Sequence, residues 1–170
     1  MEQVILVNLD DEQIGVMEKM EAHQLGLLHR AFSVFLFNDK GEMLLQRRAL
    51  SKYHSGGLWT NACCSHPRPN ETIIQAASRR TFEELGCSPS LKIIHTFSYK
   101  AVLDNDLTEH EFDHVLIGFY NGPMLLNPEE VSEIAYQPIQ LIRQEIIDCP
   151  DKFTVWFKII FEEVIKYINN

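Results

Sequence analysis

Runs of apolar residues alternate with short polar breaks along the first half of the chain, and the period changes part-way. "VILVN" (4–8) and "IGVMEK" (14–19), separated by a polar break containing "DDEQ", predict two strands joined by a turn. "RAFSVFLF" (30–37) is β-branched and aromatic enough for a buried strand; "NDKG" turns it, and "MLLQR" (43–47) returns as the second arm of a hairpin. The tail of that hairpin, "RRALSKYHSGGLW", is polar, glycine-bearing and irregular, which predicts a surface loop. The period then becomes helical. "ETIIQAASRRTFEEL" (71–85) predicts a helix with Asn70 as N-cap and Gly86 as terminator. Ile73, Ala76, Ala77, Arg80, Thr81 and Glu84 share one side of it, and a basic and an acidic residue on an inward face are odd for a helix that only fills a core. Strands follow over 91–103 and 109–120, then helices over 139–147 and 153–168. Hairpins, a central helix and terminal helices predict an α+β domain, a mixed sheet with helices packed on its faces.

Composition adds limits. At 170 residues, 45% of them hydrophobic, the chain reads as one domain, 1–170, with enough length for a real core. A net charge of -9 excludes a broad basic face of the kind that sequence-independent nucleic-acid binding needs, so any anionic ligand must be met by a local basic cluster or a metal. No apolar run is long enough to cross a bilayer, and "MEQVILVNLDDEQ" lacks a basic leader and a cleavage site, so a soluble cytoplasmic protein with no membrane partner is expected. In that setting the 4 cysteines are thiols; adjacent Cys63 and Cys64 cannot readily pair, and Cys87 and Cys149 are expected in the core.

Three segments hold groups with chemistry in them. In "TEHEFDH" (108–114), strand alternation puts Glu109, Glu111 and Asp113 on one face, where they repel unless a cation lies between them; a solvated acidic edge strand is the plain alternative. His23 and His29 flank a short loop before the first core strand, and His66 ends "WTNACCSHP". Taken singly each is an ordinary surface or core histidine; brought together with the two glutamates they form a mixed N/O site suited to Mn²⁺, Zn²⁺ or Mg²⁺. The third segment is the helix. It lies in register with the Nudix signature through Glu71, Arg79, Glu83, Glu84 and Gly86, but Ser65 stands at the first glycine and Arg80 replaces the glutamate after the arginine. Loss of that carboxylate points to a Nudix-like α/β/α sandwich with altered chemistry.

With "MEKMEAH", "LHRAFSVFLFN", "RRALSKYHSGGLWTNACCSHP", "RRTFEELG", "SYKA", "TEHEFDH" and "VWF" in order along nearly the whole chain, the sequence closely resembles the type 1 isopentenyl-diphosphate isomerases, diverged members of the Nudix superfamily. The resemblance implies metal-dependent interconversion of isopentenyl and dimethylallyl diphosphate by protonation and deprotonation through a tertiary carbocation. It implies Cys64 and Glu111 as the proton-transferring pair, Tyr99 as the hydrogen-bond partner of Glu111, and Trp156 as the indole that stabilises the cation. It further implies a first metal on His23, His29, His66, Glu109 and Glu111. A Mg²⁺ held with the diphosphate by Glu84 and the Cys64 carbonyl is implied as well, with Lys19, Arg48, Lys52 and Arg80 around that diphosphate. Cys63 carries no role, and the enzyme is expected as a monomer or weak homodimer. Competing readings are a Nudix diphosphohydrolase, which needs the full set of helix carboxylates and no thiol, and an idle metal- or isoprenoid-diphosphate-binding module, which would tolerate loss of Cys64, Glu111 or a histidine.

Overall fold

The computed structural model describes residues 2–103 and 105–168. Its elements run β1 (Gln3–Val7), β2 (Gln13–Glu18), α1 (Lys19–Leu25), β3 (His29–Phe37), β4 (Met43–Arg48), β5 (Trp59–Thr60) and β6 (Cys63–Ser65). They continue through α2 (Ile73–Leu85), β7 (Leu91–Val102), β8 (Thr108–Phe119), β9 (Val131–Gln137), α3 (Ile139–Asp148) and α4 (Val155–Ile168). β3 is the organising strand. One of its edges runs parallel to β8 from His29↔Glu111 to Phe37↔Phe119. Its other edge is shared in turn by β1 at His29, β6 at Phe32–Val34 and β4 at Phe37. β7 extends the sheet beyond β8, while β5 and β9 pair with β4.

Alternation along β3 splits the core into two layers. Phe32, Val34 and Leu36 pack with Ala76, Ala77 and Leu85 of α2, whereas Phe35 and Phe37 pack with Ile142 of α3 and with Phe157, Ile160 and Phe161 of α4. Each fully buried Val, Leu, Ile or Phe among these contributes about 1.5–3 kcal/mol relative to exposure. The mixed sheet between helices is the α+β sandwich expected from the sequence.

Four local expectations are corrected. Lys19–Leu25, read as strand end and loop, is a helix started by the Glu18 side chain, which accepts from Glu21 N–H, and stopped by Gly26 at φ 61°. α2 begins two residues later than predicted: Thr72, not Asn70, is the N-cap, in a reciprocal box with Gln75, because Asn70 is spent on a left-handed turn at φ 69°. β9 carries no alternating pattern sharp enough to announce it and forms because β4 offers a free edge. Cys149 is exposed, at the break between α3 and the following turn, whereas Cys87 is buried. Among the described residues no helix is long and apolar enough to cross a membrane.

Candidate active site

Strand register assembles the site. His29, Glu111 and Tyr99 lie side by side across β3, β8 and β7, since His29 pairs with Glu111 and Glu111 with Tyr99. Four residues further along β3, on the same face, Ser33 pairs with Cys64 on β6. His66 follows β6 directly, and α1 brings His23 over the same end of the sheet.

The histidines converge. His23 Nδ1 lies 2.7 Å from the Lys19 carbonyl oxygen and His29 Nδ1 2.8 Å from that of Leu27. A carbonyl only accepts, so both Nδ1 atoms carry a proton, which leaves the two Nε2 atoms as the ring nitrogens turned to the rest of the group. His29 Nε2 stands 3.2 Å from His66 Nε2, which stands 3.0 Å from Glu111 Oε1. One ligand atom from each of His23, His29, His66 and Glu111 lies within 4.8 Å of the others, and all four residues are buried. Burial pushes the His66 imidazole down to about 4, keeping it neutral and able to ligate. Converging imidazole nitrogens around a carboxylate are a donor set that fits a divalent cation.

Glu109 stands beside this group rather than inside it. Tyr99 Oη lies 2.7 Å from Glu111 Oε2 and 3.0 Å from Glu109 Oε2, and one hydroxyl hydrogen cannot serve both. The charges separate the pair. Burial and the neighbouring Glu111 push the Glu109 carboxyl well above its usual range. For Glu111 burial acts the same way, but His29 and His66 outweigh it and hold the carboxyl well below that range. Tyr99 Oη thus donates to one carboxylate at a time, and the shorter contact is to Glu111. Burial and Glu111 likewise push Asp113, on the same face of β8, well upward.

The Cys64 thiol lines the same pocket as Glu111. Cys64 Sγ is 3.1 Å from Asn61 Oδ1 and 3.4 Å from Ser33 Oγ, and burial, with the Asp113 charge behind it, raises its pKa, so it rests as S–H. Its neighbour Cys63 points the other way, fully buried in the layer under α2. Trp156, at the start of α4, lines the same pocket and has the Arg48 guanidinium 5.2 Å from its ring centroid. Lys19, Arg48, Lys52, Arg80 and Glu84 line the pocket as well. Arg80 Nη2 donates to Glu84 Oε1 at 2.7 Å and lies 3.2 Å from Glu130, which also pairs with Lys52.

The NUDIX domain matches residues 27–157 of this chain. An isopentenyl-diphosphate Delta-isomerase of Serratia proteamaculans is 48% identical over 163 residues, covering 96% of this chain and 91% of that protein. One from Pectobacterium atrosepticum is 48% identical over 165 residues, covering 97% and 92%. The chain belongs to the isopentenyl-diphosphate Delta-isomerase family. Solved structures show the same fold at greater distance. DR0079 from Deinococcus radiodurans superposes with a TM-score of 0.72 at 19% identity, covering 87% of this chain and 90% of that one. A MutT protein from Methanosarcina mazei gives 0.69 at 18%, covering 84% and 96%.

As a member of the isopentenyl-diphosphate Delta-isomerase family the chain keeps the Nudix helix as a frame. Arg79 bonds Glu71 at 2.7 Å and 2.8 Å, tying the turn before α2 to the helix, and Arg80 occupies the wall where the Nudix signature has a carboxylate. Of the residues to which the resemblance gives a catalytic, metal-binding or diphosphate-binding role, all except His29 line the pocket; His29 is fully buried. Sequence reasoning missed Gln46, which donates to Glu84 Oε2 at 3.2 Å, and Glu130, the counter-charge between Lys52 and Arg80. It also missed His54, buried and edge-on to Trp156 at 5.6 Å between centroids. Gln46 was visible as the one uncharged polar residue of "MLLQR"; Glu130 and His54 stood in segments with no periodic pattern.

Proposed function

We propose that this chain, as a single domain, converts isopentenyl diphosphate to dimethylallyl diphosphate in the cytoplasm, as a monomer or weak homodimer, within isoprenoid biosynthesis. The observation that carries the reading is that the Cys64 thiol, the Glu111 carboxylate and the Trp156 indole line one pocket. Moving a double bond by one position needs a proton delivered to the terminal methylene and a different proton taken from the carbon nearer the diphosphate. Between the two steps stands a tertiary carbocation, which water would capture.

Cys64 and Glu111, with Tyr99 holding the latter, form the acid–base pair. The Trp156 π face stabilises the positive charge. Lys19, Arg48, Lys52 and Arg80 bind the diphosphate, a local basic cluster in a chain of net charge -9. His23, His29, His66, Glu109 and Glu111 would hold a Mn²⁺, Zn²⁺ or Mg²⁺ ion, and Glu84 with the Cys64 carbonyl a Mg²⁺ on the diphosphate; such ions supply positive charge that orders the carboxylates and the phosphates. A Nudix diphosphohydrolase reading is disfavoured by Arg80 and has no use for Cys64. The test is incubation with isopentenyl diphosphate and Mg²⁺ in D₂O, followed by NMR. Deuterated dimethylallyl diphosphate without phosphate release is expected; release of phosphate would sink the proposal in favour of hydrolysis.

A further inference from the structure

Behind the thiol runs a line of buried polar groups that the acid–base chemistry does not use. Thr154 Oγ1 donates to Thr60 Oγ1 at 3.0 Å, Thr60 Oγ1 donates to Asn61 Oδ1 at 3.0 Å, and Cys64 Sγ donates to that same oxygen at 3.1 Å. Thr60, Asn61 and Thr154 are at most 1% exposed, so water cannot substitute for any link.

The direction of the line is fixed. Asn61 Nδ2 donates to the carbonyl oxygens of Val34 at 3.0 Å and Cys63 at 3.1 Å. Carbonyls cannot donate, so the amide cannot turn over, and its oxygen must face the threonine and the thiol. Ser33 Oγ lies 3.4 Å from the same sulfur, across the β3–β6 pairing. The far end is equally defined. Thr154 N–H donates to the Trp59 carbonyl at 3.0 Å, and its hydroxyl accepts from Phe157 N–H at 3.4 Å, which places it at the start of α4 two residues ahead of Trp156.

We infer that Thr60 is a positioning residue whose hydroxyl joins the start of α4 to the Asn61 amide and so fixes where the Cys64 sulfur stands relative to the Trp156 indole. The inference rests on the proposed isomerisation, in which both groups face one cation. A rotation about the Cβ–Sγ bond can then re-aim the proton while the sulfur stays in place. Geometry of this kind is worth much: a displacement of about 1 Å at a reacting group costs on the order of a hundredfold in rate.

Thr60→Val keeps the branched shape and deletes the hydroxyl; Thr60→Ser keeps the hydroxyl. The two variants and the parent are compared for kcat and KM on isopentenyl diphosphate, for melting temperature, and for the iodoacetamide alkylation rate of Cys64 read by peptide mass spectrometry. Thr60→Val is expected to lower kcat on the order of tenfold with KM within about twofold, and Thr60→Ser to stay within about threefold of the parent. Alkylation of Cys64 is expected to quicken at least about threefold in Thr60→Val only, as the sulfur loses its fixed position. The inference is overturned if the Val and Ser variants share one kcat, if the loss lies in KM, or if alkylation is unchanged in Thr60→Val. Should Thr60→Val fail to fold, Thr60→Val/Thr154→Val strands no hydroxyl and is read the same way. Because alkylation needs no substrate, an inactive parent would count against the proposed function and leave the alkylation result to decide this inference alone.

Discussion

Two adjacent cysteines have unequal environments, and the strand alternation that separates them sets different expectations. Cys64→Ala removes one member of the proposed acid–base pair and Glu111→Gln the other; each is expected to lower kcat on the order of a thousandfold or more in the NMR assay. Cys63→Ala deletes a buried sulfur on the α2 side, so it should cost about 1 kcal/mol in a denaturant melt and leave kcat within about threefold. Equal loss from both cysteines would mean the thiol is wrongly assigned. His54 offers a pH prediction. Burial, then the Arg48 charge, pushes its imidazole down from 6.5 to about 3, so the folded chain keeps it neutral where the unfolded chain would protonate it. The unfolded state then binds the extra proton, so the contribution to stability is complete above pH 6.5 and is lost progressively as pH falls toward 3. Melting temperature of the parent should therefore fall more steeply across that window than that of His54→Phe; parallel curves would refute the neutral buried state.

Elements matter here through where they stop. α2 ends because Gly86 takes φ 65°, and a Cβ there would lie 2.6 Å from the Leu125 carbonyl oxygen. Gly86→Ala should thus cost more than the roughly 1–2 kcal/mol of a left-handed L-residue, measured by urea unfolding. At the other end, Thr72→Ala breaks the capping box and should cost about 1 kcal/mol. α2 was legible because its apolar face, Ala76, Ala77 and Leu85, recurs at helical spacing and a glycine follows. α1 was not, because 7 residues are too few to show a period, and its start depends on a Glu18 side chain that any strand end could also carry. β9 is visible only once β4 has an edge to fill.

For the molecule as a whole, the candidate metal-binding cluster and the fold share their parts: His29 and Glu111 are paired residues of central strands, and His66 follows a third. Chelation should abolish turnover and also lower the melting temperature, since removal leaves a buried carboxylate and close imidazoles without the cation that reconciles them. Re-addition of Mn²⁺, Zn²⁺ or Mg²⁺ separately, with both activity and melting followed, identifies the ion. Activity and melting temperature untouched by a strong chelator would remove the metal from the proposal.

The sequence by itself determined the sheet-and-helix class, the inward face of α2 and the Nudix register with its Arg80 substitution, because these depend on local period and spacing. It also marked the alternation that sets Glu109 and Glu111 on one face. Only the tertiary structure decided that His23, His29, His66 and Glu111 converge, that Tyr99 stands opposite Glu111, and that Thr60 links Cys64 to the start of α4. Those contacts join residues as many as 94 positions apart, and strand register and helix placement, which bring them within hydrogen-bond range, are set by packing across the whole core.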